Sequence, residues 1–129
     1  MVALHDNRNT VERHGYDFAF TVAPGARVYQ GSLVSLDSTG KAVSASISGK
    51  ACVGVAHQYT EGGGIVLVRR GIFAFANSAG AEALSNADVG AVCYVADDQS
   101  VKKTAGTNPV APIAGLVMAV DEHGVWLKI

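Results

Sequence analysis

From Tyr16 onward the chain alternates. Tyr16, Phe18, Phe20 and Val22 are apolar or aromatic, and Asp17, Ala19 and Thr21 between them are polar or small. A period of two predicts a strand with one aromatic face. Pro24 and Gly25 predict a turn. Residues 28–36 predict a second β region, interrupted at Gly31, and 37–41 a hairpin-type turn before a short strand over 41–46. Residues 50–60 hold Cys52, Val53, Val55 and Ala56 and predict another strand. Glu61 followed by Gly62, Gly63 and Gly64 predicts the sharpest turn of the chain, because glycine admits positive φ.

Residues 65–76 are the most β-like stretch. Ile65, Leu67 and Arg69 alternate with Val66, Val68 and Arg70, and Ile72, Phe73 and Phe75 continue the run past Gly71, which marks a bulge or a bend. Residues 77–87 shift to Ala, Glu, Leu and Ser and predict the one helix, about two turns long, with Ser78 as its cap. Strands follow over 91–96, 101–104, 112–120 and 125–129, separated by turns at Asp88 to Gly90, Asp97 to Ser100 and Asp121 to Gly124. Eight to ten short strands at this spacing, with one short helix, predict a mainly β domain, a compact barrel or sandwich.

The first fifteen residues break this rhythm. Asp6, Asn7, Arg8, Asn9 and Thr10, then Glu12, Arg13 and His14, form a polar lead without a clear period. Two readings stand: a frayed terminus, or an arm that orders on a partner. The expected organisation is therefore an extended arm over residues 1–15 and one β domain over 16–129.

Composition sharpens the picture. Ala, Val and Gly supply 53 of the 129 residues and charged residues only 16%, below the roughly 25% of an ordinary soluble domain. Small and β-branched side chains suit closely packed β structure with many turns. A formal net charge of −1 argues against nucleic acid as the main partner. No apolar run approaches the roughly 18 residues of a membrane span, and the polar N-terminal stretch does not read as a signal peptide. Cys52 and Cys93 each sit in an apolar run and read as buried free thiols.

The search for chemistry returns little. A phosphate loop needs glycine five residues before its Gly-Lys pair and a hydroxyl after it. Lys41 and Lys50 have Ser35 and Ser44 at the first position and alanine after the lysine. His5, His14, His57 and His123 do not pair at a metal-ligand spacing, and Asp97 and Asp98 read as a self-bonding turn. There is no nucleophile elbow. Cys52 and His57, five apart on a strand, face opposite sides. The expectation is a non-catalytic protein with no metal or cofactor. Arg69 and Arg70, between two apolar runs, read as exposed strand ends or as a contact for an acidic neighbouring chain. Phe73, Phe75, Tyr94 and Trp126 read as core.

Several runs resemble the small capsid cement, or head decoration, proteins of tailed bacteriophages. They are Arg70 through Gly71, Ile72, Phe73 and Ala74 to Phe75, the Ala-rich segment after it, and Asp88 through Gly90, Cys93 and Tyr94 to Val95. Further runs are Asp97 with Asp98, residues 104–108, residues 114–117, and Gly124 through Trp126 to Ile129. The Pro24-Gly25 turn and the runs 31–34 and 52–55 fit the same pattern. The resemblance covers roughly residues 16–129 and rests on apolar rhythm and turns. It implies a β-tulip-type domain in the virion, made in the host cytoplasm. It further implies binding to the outside of the expanded capsid, often as trimers that clamp neighbouring major capsid subunits. On that reading the arm residues His5, Asp6, Asn7, Arg8, Asn9, Arg13 and Tyr16 meet the capsid, and Arg69, Arg70, Phe73 and Phe75 are candidates for inter-subunit contacts.

Two other classes stay open. A ligand- or glycan-binding β module would use Tyr16, Tyr29 and Tyr59 as its platform, and would show a pocket with convergent polar groups. An enzyme with a dispersed site would show His57 or His123 gathered with two carboxylates.

Overall fold

The computed structural model describes residues 2–12 and 15–129. Strand pairing begins where the alternation begins. Among the described residues the strands are β1 (Asp17–Thr21), β2 (Arg27–Val28), β3 (Leu33–Leu36), β4 (Ala42–Ser44), β5 (Cys52–Ala56), β6 (Thr60–Glu61), β7 (Ile65–Arg69), β8 (Ile72–Asn77), β9 (Val92–Val95), β10 (Ser100–Lys102), β11 (Ile113–Asp121) and β12 (Gly124–Lys128). The domain is mainly β, as the alternation predicts. Strands outnumber the expected eight to ten because turns cut the longer runs into pieces as short as two residues.

The strands build two bodies. The first is an antiparallel sheet in the order β1-β7-β5-β3-β4, whose outer strands meet at a single parallel bridge between Val22 and Ala42. The second is a closed barrel in the order β10-β8-β12-β11-β9, antiparallel throughout except for the β10–β8 pair. A two-stranded ribbon, β2 with β6, completes the fold. The apolar stretch over residues 65–76 divides at Gly71: β7 belongs to the sheet and β8 to the barrel. Gly71 exchanges two backbone hydrogen bonds with Ile129, at 2.9 and 3.3 Å, so the crossing point is held by the end of β12.

Two apolar cores result, and β3 and β5 stand between them. Leu33 and Val55 pack with Phe75, Cys93, Val95, Val117, Val125 and Leu127 in the barrel core. Their neighbours Val34 and Ala56 pack with Val22, Val28, Val66 and Val68 in the sheet core. Successive side chains on a strand point to opposite faces, so each of these strands feeds both cores. That is why their sequences are apolar at consecutive positions. The close approach leaves no room at Gly54, where an added Cβ would lie 2.6 Å from Val68 Cγ1 and 2.7 Å from the Arg69 carbonyl oxygen.

The expected helix is a correction. Residues 77–87 form two single 3-10 turns, Gly80–Glu82 and Asn86–Asp88. The Asn77 side chain accepts from Leu84 N at 2.9 Å and donates to the Leu84 carbonyl at 2.8 Å. These bonds pull the chain across in place of helical hydrogen bonds, and Gly80 turns at φ +63°. The buried Leu84 thereby enters the barrel core. Ser78 is no cap: its hydroxyl donates to the Val101 carbonyl at 2.8 Å. Ser85 caps the second turn, in a reciprocal box with Asp88.

Two substitutions test this packing. Leu127→Ala should cost about 2–5 kcal/mol of unfolding free energy through the cavity it opens. Gly54→Ala should cost about 1–3 kcal/mol by overpacking the wall between the cores. Urea unfolding checks both; unchanged midpoints would contradict the two-core arrangement.

Candidate functional site

Residues 2–12 are exposed and carry no strand or helix. Their hydrogen bonds are local: Asn7 N to Asp6 Oδ1 at 2.8 Å, Thr10 N to Arg8 O at 3.0 Å and Arg8 Nη1 to Thr10 Oγ1 at 3.4 Å. Among the described residues, no hydrogen bond or ion pair ties this segment to the β domain. His5, Asp6, Asn7, Arg8 and Asn9 therefore face solvent, as does Tyr16 at the root of the segment. The apolar side chains of Val2, Leu4 and Val11 are exposed as well, Val2 at 87%. Arg13 and His14 lie outside the described residues.

The four candidate contact residues separate. Arg69 is taken by Asp17 of the same chain, Nε to Oδ1 at 2.8 Å and Nη2 to Oδ2 at 3.3 Å, directly across the β1–β7 pairing. An acidic partner for Arg69 is thus supplied within the chain. Phe75 is buried in the barrel core, which corrects its place among the contact residues and agrees with its reading as core. Phe73 packs half-buried against the same core. Arg70 alone of the four is fully on the surface. It lines an apolar groove of about 350 Å³ with Gly15, Tyr16, Ile72, Lys128 and Ile129.

An outward row on the barrel shares Ile72 and Lys128 with that groove. The barrel pairings set Ile72 opposite Lys128, Lys128 opposite Leu116 and Leu116 opposite Val92. Their strand neighbours Phe73, Leu127, Val117 and Cys93 pack on the interior, so this row faces outward. Ile72 is 51% exposed and Val92 41%, while Leu116 between them is half-buried. Ile113 and Met118 on β11 are also exposed. Outward positions of a solvated strand are normally polar; here Lys128 is the one charge in the row. The signal was present in the sequence: β8 and β9 are apolar at both alternating sets, one set more than a single core requires.

The three tyrosines also separate. Tyr16 lines the apolar groove. Tyr29 and Tyr59 stand together elsewhere, ring centroids 5.2 Å apart and tilted 43°. Tyr59 donates to Glu61 Oε1 at 2.8 Å, and that bond holds its phenol above the usual range. Arg27 is held up by Tyr29, Tyr59 and Glu61 around it. Beside Tyr29 opens a pocket of about 260 Å³, lined by Tyr29, Gln30, Gly31, Ser32, Asp98 and Gln99. It lies where the two bodies are stitched together: Leu33 N donates to the Asp98 carbonyl at 2.8 Å and Ala76 N to the Gln99 carbonyl at 3.0 Å. Some sixty-six positions separate its halves, so spacing gave no hint of it.

Cys52 and Cys93 are free thiols packed in or against the barrel core. Burial pushes Cys52 up to about 12, with Cys93 contributing, and Cys93 up to about 11. His123 stands at an exposed hairpin tip, 3.9 Å from Glu122. Asp121 beside it accepts from His123 N at 2.8 Å and Trp126 Nε1 at 2.9 Å. Half-buried Trp126 stacks edge-on with His123 at 5.9 Å. His57 is exposed. Among the described residues no group of three or more His, Cys, Asp or Glu side chains is placed to hold a metal ion, and no helix is long and apolar enough to cross a membrane. In comparisons with protein-family models, curated proteins and solved structures, nothing matches this chain.

The carboxylates predict an acid limb. Asp17 is lowered by its bond from Arg69, Asp37 by Thr39, Glu82 by Thr104 and Asp121 by Trp126. A carboxylate lowered in the fold contributes stability above its unfolded value, near 3.8 for Asp and 4.5 for Glu, and loses it as pH falls through the lowered value. Stability should hold above about pH 5 and decline below it, and Asp37→Asn should make the decline shallower in thermal melts against pH. The buried thiols should resist alkylation at pH 8 in the fold and both react after denaturation. Fast labelling of the native protein would contradict the packing.

Proposed function

We propose that this is a structural, non-catalytic capsid cement protein: it binds the outer surface of an expanded bacteriophage capsid and clamps neighbouring major capsid subunits, with three copies side by side. The single observation that carries the reading is the outward barrel row of Ile72, Leu116 and Val92 with one charge, Lys128, in it. Exposed apolar surface backed by a rigid barrel is suited to being covered by another chain. A net charge of −1 keeps repulsion between adjacent copies small.

The exposed N-terminal segment supports the same reading. Its polar residues and the exposed Val2, Leu4 and Val11 can gain contacts by ordering on a shell, against an entropy cost of about 1–2 kcal/mol per residue. Tyr16 and Arg70 join this segment to the apolar groove and so to the barrel wall. On this reading the segment and the wall are two parts of one contact surface.

Sedimentation with expanded shells of a tailed-phage major capsid protein tests the proposal. The full chain should pellet with the shells. Ile72→Lys combined with Val92→Lys should weaken pelleting by about tenfold or more, with the melting temperature nearly unchanged because both positions are exposed. Deletion of residues 2–14 should weaken it as well. A full chain that stays in the supernatant sinks the proposal, undiminished pelleting of the lysine variant removes the wall from it, and undiminished pelleting of the deletion removes the arm.

A further inference from the structure

The pocket at the seam between sheet and barrel is polar, small and unconnected with the apolar wall. Its lining offers one phenol, Tyr29, two carboxamides, Gln30 and Gln99, one aliphatic hydroxyl, Ser32, and one carboxylate, Asp98. Ser32 is 6% exposed and its Oγ has no hydrogen-bond partner. That Oγ is itself fully buried, so the polar side chains that a ligand can reach are those of Tyr29, Gln30, Asp98 and Gln99. No hydrogen bond or ion pair engages the side chains of Gln30, Asp98 or Gln99 among the described residues.

The chemistry of this lining selects a ligand class. No lysine, arginine or histidine lines the pocket, so nothing in it neutralises a phosphate, sulfate or carboxylate. A single carboxylate is a weak match for a divalent cation, which takes several oxygen ligands. A wholly apolar ligand would strand two carboxamides and a carboxylate. Carboxamides both donate and accept, which matches ligand hydroxyls that do the same, and the Tyr29 ring offers an apolar face beside them. We propose that the pocket lined by Tyr29, Gln30, Gly31, Ser32, Asp98 and Gln99 binds a neutral, polyhydroxylated ligand, a single pyranose or the end residue of a glycan.

Size and placement agree with this class. At about 260 Å³ the pocket falls just below the usual range of ligand sites, roughly 300–1,000 Å³, which limits it to about one sugar ring. Both of its sides are anchored: Gly31 N donates to the Ala56 carbonyl at 2.8 Å, and the 97–99 turn is held by Leu33 and Ala76. Tyr59, tilted against Tyr29 and bonded to Glu61, steadies the aromatic wall. Tyr16 lines the separate apolar groove and takes no part.

Backbone-amide NMR titration of the full chain is the test. The probes are methyl glucoside, methyl galactoside, methyl mannoside and N-acetylglucosamine, with inorganic phosphate as the anionic control. At least one sugar should give saturable shifts at Gly31, Ser32 and Gln99. Tyr29→Ala and Asp98→Ala should each weaken that binding by about tenfold, the scale of one lost contact, and Tyr16→Ala should leave it unchanged. All three positions lie outside the two cores, so the variants keep the fold, and their remaining amide shifts verify this. No saturable shift with any sugar, sugar binding that survives both pocket variants, or stronger binding of phosphate at these amides would each overturn the proposal.

Discussion

The architecture hangs on one wall. β3 and β5 each place apolar side chains on both faces, and each face belongs to a different core. Removing apolar area from water is the main favourable contribution to folding, and here a single pair of strands removes it twice. The requirement is steric as well as hydrophobic. Backbones come so close at Gly54 that any side chain would strike β7, which leaves glycine as the residue that fits. The sheet and the barrel are therefore one domain with a common partition.

From that partition the surfaces follow. With β8 and β12 locked into the barrel by Val125 opposite Phe75 and Leu127 opposite Phe73, the alternate residues Ile72, Ala74 and Trp126 have to point outward. The barrel cannot hide them, since its interior is already filled. An outward apolar wall on a domain with few charges is the feature around which a covering partner can be argued. The polar pocket arises from the same partition at its margin, where the turn between β9 and β10 bonds to β3 on one side and β8 on the other.

Much of the fold was legible along the chain. The period of two at Phe18 and Phe20, the turns at Asp37 and Gly63, and the break at Gly71 all correspond to observed elements. The helix predicted over 77–87 does not form, because alanine-rich composition speaks only to intrinsic propensity, a weak prior, and Asn77 outcompetes it through two side-chain bonds to Leu84. The candidate surfaces were legible in part. The polar lead was visible as a composition break, and exposure of Arg70 follows from its place at a strand end. The pairing of Arg69 with Asp17 was not, because it joins residues 52 positions apart.

By itself the sequence determined the β character, the positions of most turns and the scarcity of charge, because these depend on neighbours within a few residues. Only the tertiary structure decided which of two apolar sets on a strand meets a core and which meets solvent. Both sets of β8 read alike as apolar, and burial is settled by what packs opposite: Phe75 faces Val125 inside the barrel, whereas Ile72 faces Lys128 outside it. Closure of the barrel likewise brought Ser32 to Asp98 and Gln99 from distant parts of the chain. Long-range proximity of that kind leaves no period or spacing in the sequence, since it is created by strand order and register alone.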